Sequence, residues 1–310
     1  MGQIVVQVTD QTLTKMKDNY QNELRNPPPG AAFSAKKAGI TITGYKSGKV
    51  LFQGANPEME ASKWGNLSTG QTKPKSASTQ HPYSPEPSLY RQSLIGSDEA
   101  GTGDYFGPIT VAAAYVKADQ IELLKELGVR DSKNLTDASI QQIAQQILLL
   151  DIPYSLVILH NPKYNQLQAK GWTQGKMKTM LHHTAIENVR KKIAPEQPDG
   201  ILIDQFCLPN IYMKHLKSEQ KTLPKSTYFV TKAESHSIAV ATASIIARAS
   251  FVKQMDLLSN QVEFTLPKGA SAKVDQVASR VIRQKGKTYL DQVAKVHFAN
   301  TAKAFAYLKK

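Results

Sequence analysis

Residues 67–88 read LSTGQTKPKSASTQHPYSPEPS, a run of Ser, Thr, Pro, Lys and Gln with almost no aliphatic side chain. Such a stretch cannot bury enough apolar surface to offset the entropy of ordering it, so no core can run through it. The 310 residues are therefore expected to divide into a short unit over 1–66, a linker over 67–88 and a longer unit over 89–310. Each unit must close its own core.

The short unit reads as α+β. Alternation over 3–8 predicts a half-buried strand, a helix follows over 10–23, and further strands centre near Phe33, Thr41 and Val50. Gly48, in Lys46-Ser47-Gly48-Lys49, supplies the hairpin turn between the last two strands. Lys36, Lys37, Lys46 and Lys49 flank these strands, and with Tyr45 they mark either a surface for a polyanion or a merely solvated face.

The longer unit alternates. Strands are expected over 92–98, 108–116, 154–160, 200–205 and 227–231, with helices between and after the later ones, which predicts an α/β fold: a mixed central sheet flanked by helices. One helix over 177–191 carries the adjacent His182 and His183, which cannot share a face as paired ligands do and read as structural. Another, over 236–258, places Ile238, Val240, Ala241, Ile245 and Ile246 at helical spacing toward a core. From Val274 two amphipathic helices follow, broken at Lys285-Gly286-Lys287, and no internal repeat is evident.

A hydrophobic share of 41% and a charged share of 21% exclude wholesale disorder. Lys and Arg outnumber Asp and Glu by 39 to 25, a net +14 that attracts polyanions, nucleic acid first, although a soluble basic surface has the same composition. The single cysteine, Cys207, can form no internal disulfide and fits a small core residue in a reducing compartment. The opening residues MGQIVV lack the charge and apolar run of a signal peptide, and Val6 stands where a myristoylation signal carries Ser or Thr. The most apolar stretch, 147–159, is interrupted by Asp151 and Pro153 and falls short of a membrane span. A cytoplasmic, monomeric protein without membrane association is expected.

The chemistry is carried by acids. Asp98 and Glu99 end a hydrophobic strand just before glycines, Asp204 ends the apolar run Gly200-Ile201-Leu202-Ile203, and Glu234 sits where the last strand passes into a helix. Neighbouring strand ends can bring such acids together at a ligand-binding edge of a sheet. Clustered carboxylates repel one another, and hard divalent cations relieve the repulsion. Two such ions can activate a water and stabilise a leaving oxygen in phosphodiester cleavage. On spacing alone, turn formation and salt bridges explain the same acids better than a metal does. Asp98 and Glu99 are adjacent, so in a regular strand they point to opposite faces; either the strand bends there or Glu99 offers its backbone carbonyl. Gly101-Thr102-Gly103 is no dinucleotide fingerprint, because the next glycine arrives one residue late and 109–116 reads as strand.

Asp98-Glu99-Ala100-Gly101-Thr102-Gly103 resembles the Asp-Glu-Ala-Gly-x-Gly signature of type 2 ribonucleases H. Arg130-Asp131-Ser132-Lys133 with Leu135 resembles their Asp-Ser-Lys motif, and Lys232-Ala233-Glu234-Ser235 with Ala243-Ser244-Ile245-Ile246-Ala247 resembles two later elements, in family order over about residues 89–310. Gly103-Asp104-Tyr105-Phe106-Gly107-Pro108, Asn161-Pro162-Lys163-Tyr164-Asn165, Leu266-Pro267-Lys268-Gly269-Ala270 and His297-Phe298-Ala299-Asn300-Thr301 look like elements of ribonuclease HIII. Thr102 stands where ribonucleases HII usually carry Arg, and Ala233-Glu234 where many relatives carry Gly-Asp.

The resemblance implies a ribonuclease H-like catalytic domain and, over residues 1–66, a domain similar to the TATA-box-binding protein fold. It implies an endoribonuclease that cuts the RNA strand of RNA/DNA hybrids with two Mg²⁺ or Mn²⁺ ions, leaving 5′-phosphate and 3′-hydroxyl ends. Asp98, Glu99, Asp204 and Glu234 would be its catalytic metal ligands. Gly101, Thr102 and Gly103 would let the backbone approach 2′-hydroxyls in the shallow RNA minor groove, a role compatible with a simple hairpin turn. Ser132 and Lys133 would meet a phosphate. Removal of single ribonucleotides from duplex DNA, or a silent nucleic-acid-binding protein keeping the fold, are the competing readings.

Overall fold

The computed structural model describes residues 2–28, 30–64, 82–130 and 135–308. Ser132, Lys133 and most of the expected linker fall outside them. The chain separates into two compact units, Met1–Gln80 and His81–Lys310.

The first unit contains β1 (Gly2–Gln7), α1 (Asp10–Asn19), β2 (Leu24–Arg25), β3 (Ala31–Lys37), β4 (Ile40–Tyr45), β5 (Lys49–Gly54) and α2 (Pro57–Ala61). Its strands form an antiparallel sheet in the order β1-β5-β4-β3-β2. Strand alternation sends Phe33, Ala35, Ile42, Val50 and Phe52 into one core with Leu13 and Met16 of α1. The Thr9 hydroxyl caps α1 by accepting the Thr12 amide at 3.3 Å. The helix ends sooner than the expected residue 23. Tyr20 is drawn into the core, where its hydroxyl donates to Glu60 at 2.8 Å and accepts from the Trp64 indole at 2.6 Å.

The opposite face of this sheet is built from the alternate residues. Gln3, Gln53, Thr41 and Lys36 form one cross-strand row and Val5, Leu51, Thr43, Ser34 and Arg25 the next; Gln7 pairs with Lys49, and Tyr45 follows Thr41 and Thr43 on the same face of β4 by alternation. None of these residues is acidic. Lys37 belongs to the other side: its ammonium lies 3.7 Å from Glu23 and 5.6 Å from the Tyr20 ring centroid. Lys46 is exposed in the β4–β5 turn, where Gly48 takes φ +77°.

The second unit runs β6 (Leu94–Ala100), β7 (Ile109–Val116), α3 (Ile121–Glu126), α4 (Asp137–Leu149), β8 (Tyr154–Leu159), α5 (Asn161–Ala169), α6 (Gln174–Ile193), β9 (Gly200–Asp204), α7 (Pro209–Ser218), β10 (Thr227–Val230), α8 (Ile238–Val262), α9 (Ala272–Lys285), α10 (Leu290–Val293) and α11 (Ala299–Leu308). The sheet order is β10-β9-β6-β7-β8, with β10, β9 and β6 parallel and β7 and β8 antiparallel. This is the expected mixed sheet. Its faces bury separate cores: Leu94, Ala112 and Ala114 pack with α4 and α8, whereas Ile95, Val111, Ala113 and Ile203 pack with α6 and α7. A third cluster gathers Tyr105 and Phe106 with residues of α8 to α11. Gly286, at φ +91°, stops α9 where the break was expected.

The last residues of the expected linker belong to this unit. The Phe229 amide of β10 donates to the Tyr83 carbonyl at 3.0 Å, and the two rings meet edge to face at 6.1 Å. Among the described residues no helix is long and apolar enough to cross a membrane.

Candidate active site

Three parallel strands point their carboxyl ends the same way, and each leads to an acid. Asp98 lies near the end of β6 and Asp204 is the last residue of β9; the registered pairs run up to Ser97–Ile203, one step before both acids. Asp204 and Asp98 therefore share the α8 face. After β10 the chain takes Lys232 through a left-handed conformation into a short turn over Ala233–Ser235. The Ala233 amide donates to Asp204 Oδ1 at 2.9 Å, tying this turn to β9, and the adjacent Glu234 is buried. The α8 helix follows, and its Ser244 hydroxyl hydrogen-bonds Asp98.

Close approach of α8 to β6 depends on Gly96, where the helix backbone at Ala239 and Val240 fills the space a side chain would need. The glycine thus sets how deeply Ser244 reaches toward Asp98.

Burial, then repulsion from Glu99 and Asp204, raise the Asp98 carboxyl well above the usual carboxylate range; the Ser244 hydroxyl and the Glu99 amide only partly oppose this. Such a site carries more negative charge than its own donors can balance. A hard cation with oxygen ligands relieves that excess, so the donor set fits Mg²⁺ or Mn²⁺.

Glu99 stands apart. The strand does not bend at Asp98–Glu99: Glu99 stays in register with Val111, so its side chain crosses to the α6 face. There Lys178 Nζ meets Oε1 at 2.7 Å and His182 Nε2 meets Oε2 at 2.9 Å. Burial pushes the Glu99 carboxyl up, but the hydrogen bond and charge of His182 and the Lys178 ammonium outweigh it and hold it down at about 2. His182, expected to be structural from its adjacency to His183, is buried and contacts Glu99. The informative spacing is Lys178 to His182, four residues apart and on one helix face. Among the described residues no group of three His, Cys, Asp or Glu is arranged as a formed metal site, so the acids suit the cation by their chemistry rather than by a completed geometry.

The Gly101–Thr102–Gly103 loop is fastened from behind. Gly101, at φ +86°, lies against the Pro108 carbonyl and the Phe251 ring, so a side chain there has neither room nor a relaxed backbone. The Gln174 amide donates to the Thr102 carbonyl at 3.0 Å, and Asn161 donates to the Gly107 carbonyl at 2.9 Å. Lys295, completely buried, donates to the carbonyls of Asp104 and Gly107 at 2.8 and 2.5 Å. Burial lowers its ammonium to about 7. Gly103 is exposed with open space around it, so the loop presents backbone outward at its tip.

A family model described as ribonuclease HII matches residues 95–301, and a second, described only as a domain of unknown function, matches residues 3–78. The chain is 58% identical to a ribonuclease HIII of Oceanobacillus iheyensis, covering 98% of this chain and 99% of that protein. It is 52% identical to a ribonuclease HIII of Bacillus mycoides, covering 99% of each. The crystal structure of Bst-RNase HIII in complex with Mn²⁺ superposes with a TM-score of 0.70 at 42% identity, over 99% of both chains. Sheet order, motif order and likeness along almost the whole length agree: the chain belongs to the ribonuclease HIII family.

Proposed function

We propose that Asp98, Glu99, Asp204 and Glu234 are the catalytic carboxylates with which this endoribonuclease cleaves the RNA strand of RNA/DNA hybrids. The observation that carries the assignment is the acidic strand end: Asp98 is buried beside Asp204 with its carboxyl raised by burial and then by repulsion from Glu99 and Asp204, an arrangement that favours cation binding. Two bound Mg²⁺ or Mn²⁺ ions would supply an activated water and stabilise the leaving 3′-oxygen, giving 5′-phosphate and 3′-hydroxyl ends. Asp98 and Asp204 would hold ions from the α8 face and Glu99 from the α6 face, with Glu234 closing the set beside Asp204.

The Gly101–Gly103 loop would read 2′-hydroxyls through its backbone, and its fastening by Gln174, Asn161 and Lys295 supports a rigid reader. Ser132 and Lys133 would contact a phosphate. In the 1–66 domain, the acid-free sheet face with Lys36, Tyr45 and Lys49, extended by Lys46 at its edge, would engage the hybrid backbone. The reading extends to a monomer acting in the cytoplasm, in keeping with the lone, half-buried Cys207.

The deciding experiment compares a continuous RNA/DNA hybrid with a DNA duplex carrying one ribonucleotide, each with Mg²⁺ and with Mn²⁺. Preferential cutting of the continuous hybrid is expected. Preference for the single ribonucleotide would indicate HII-like repair, and binding without cleavage would indicate a silent fold.

A further inference from the structure

Both carboxylate oxygens of Glu99 are engaged by basic side chains, and the two partners are held in very different ways. His182 is fully buried. Its Nδ1 lies 2.7 Å from Ser97 Oγ, which in turn donates to the Ala112 carbonyl at 3.0 Å inside the β6–β7 pair. Its ring also stacks on Phe206 at 5.1 Å. Moving His182 would break a chain of buried hydrogen bonds, which is costly in a dry interior.

Lys178 is tethered more loosely. Its side chain is 12% exposed and its ammonium sits 4.1 Å from the Phe206 ring centroid, on a flexible four-carbon stem. Among the described residues Glu99 is its single ion-pair partner. The aromatic face offers the ammonium a resting place independent of the carboxylate.

Glu99 Oε1 cannot serve an ammonium and a divalent cation equally well, and the two positive charges repel each other at such short range. We propose that Lys178 is the resident counter-ion of Glu99, a positioning residue that neutralises this carboxylate in the metal-free protein and yields Oε1 when a divalent cation is loaded, while His182 keeps Oε2 aimed. The proposal rests on the assignment of Glu99 as a metal ligand. It accounts for the pairing of both Glu99 oxygens with basic side chains on the α6 face, where the strand register places this carboxylate. It also gives the sign of the effect: Lys178 weakens metal binding in exchange for holding a lone buried carboxylate in place.

The test is calorimetric titration of the full-length protein with Mn²⁺, without nucleic acid, for the wild type and for Lys178→Met, Lys178→Gln, Lys178→Arg, His182→Asn and Asp204→Asn, with folding checked by circular dichroism. Removing the competing charge in Lys178→Met or Lys178→Gln is expected to tighten Mn²⁺ binding about tenfold, the scale of one charge-assisted hydrogen bond. Lys178→Arg should stay near the wild type, and His182→Asn should bind more weakly because Oε2 loses its guide. Unchanged or weaker Mn²⁺ binding in the folded Met and Gln variants, with binding lost in Asp204→Asn, overturns the counter-ion role alone. Absence of Mn²⁺ binding by the wild type, or no effect of Asp204→Asn, overturns the metal assignment together with it.

Discussion

Gly96 of β6 and Ala239 of α8 approach so closely that a β-carbon on the glycine would stand 2.2 Å from the Ala239 carbonyl carbon. The obstructing atoms are helix backbone and cannot turn away as a side chain would. Gly96→Ala should therefore displace α8 and lower the unfolding free energy by about 1–3 kcal/mol or more, the usual range for overpacking a core. Urea denaturation measures this. Because the same shift withdraws Ser244 from Asp98, turnover should fall more than substrate affinity, which steady-state kinetics on a labelled hybrid would show.

Asp98 is held in the fold at a cost in stability. Its carboxyl is raised, so the folded protein binds that proton more tightly than the unfolded chain does. The associated stability is complete below the ordinary carboxylate range and is lost as pH rises through the raised value. Asp98→Asn should abolish cleavage and leave hybrid binding largely intact. In metal-free buffer at neutral pH it should also melt higher than the wild type, by about 2–4 °C for each kcal/mol relieved. Differential scanning fluorimetry across pH would check this, with the gap closing in acid.

Glu99 has the opposite sign. Held at about 2 against an ordinary value of 4.5, its ion pairs stabilise the fold above pH 4.5, and the contribution fades as pH falls toward 2. Glu99→Gln should be less stable than the wild type at pH 7, with the difference shrinking below pH 4.5 in equilibrium unfolding. Equal stability of the two proteins at pH 7 would contradict the ion pairs described.

Much of the second unit was legible in the sequence because its strands are short apolar runs, two of which, β6 and β9, carry acids at their ends. The run at 200–205 is one example: Gly200–Asp204 emerged as an interior strand with its acid at the carboxyl end of the parallel strands. Other features lay beyond sequence reading. The two-residue β2 is too short for any alternation to register, and α1 stops at Asn19 because Tyr20 seeks partners some forty residues away. Adjacency drew attention to His182 and His183, whereas contact depended on Lys178 and His182, whose four-residue spacing means little until α6 is known to cross the end of β6. Gly96 is likewise silent in a sequence, since only the approach of α8 gives its missing side chain a purpose.

Glu234 allows a graded test. Glu234→Gln removes the charge without changing shape and should lose about 100-fold or more in turnover if the carboxylate holds an ion. Glu234→Asp retracts the carboxylate by about 1.5 Å and should keep part of the activity, with a shift toward Mn²⁺, because Mg²⁺ demands near-ideal octahedral geometry. Full activity of the Gln variant across titrations of both metals would return Glu234 to a purely structural role.

The first unit separates two neighbouring lysines. Lys36 lies in the acid-free face, whereas Lys37 is occupied by Glu23 and Tyr20 on the other side. Lys36→Ala should reduce the slope of log affinity against log salt by roughly one counter-ion, as expected for one lost phosphate contact. Lys37→Ala should leave the slope unchanged. Fluorescence anisotropy with a hybrid at several salt concentrations distinguishes them.

The distance along the chain between the site's acids bears on its birth at the ribosome. Asp98 leaves the exit tunnel well before Asp204, and Ser244 of α8 follows later still, so the parallel ladder from β6 to β9 to β10 closes only when most of the protein has been made. At typical elongation rates that interval lasts roughly ten seconds or more. A nascent chain tethered to messenger RNA thus carries the first pair of acids with neither the partner strands nor the covering helix. On the proposed assignment of these acids, the catalytic edge is assembled last and no early fragment carries it complete.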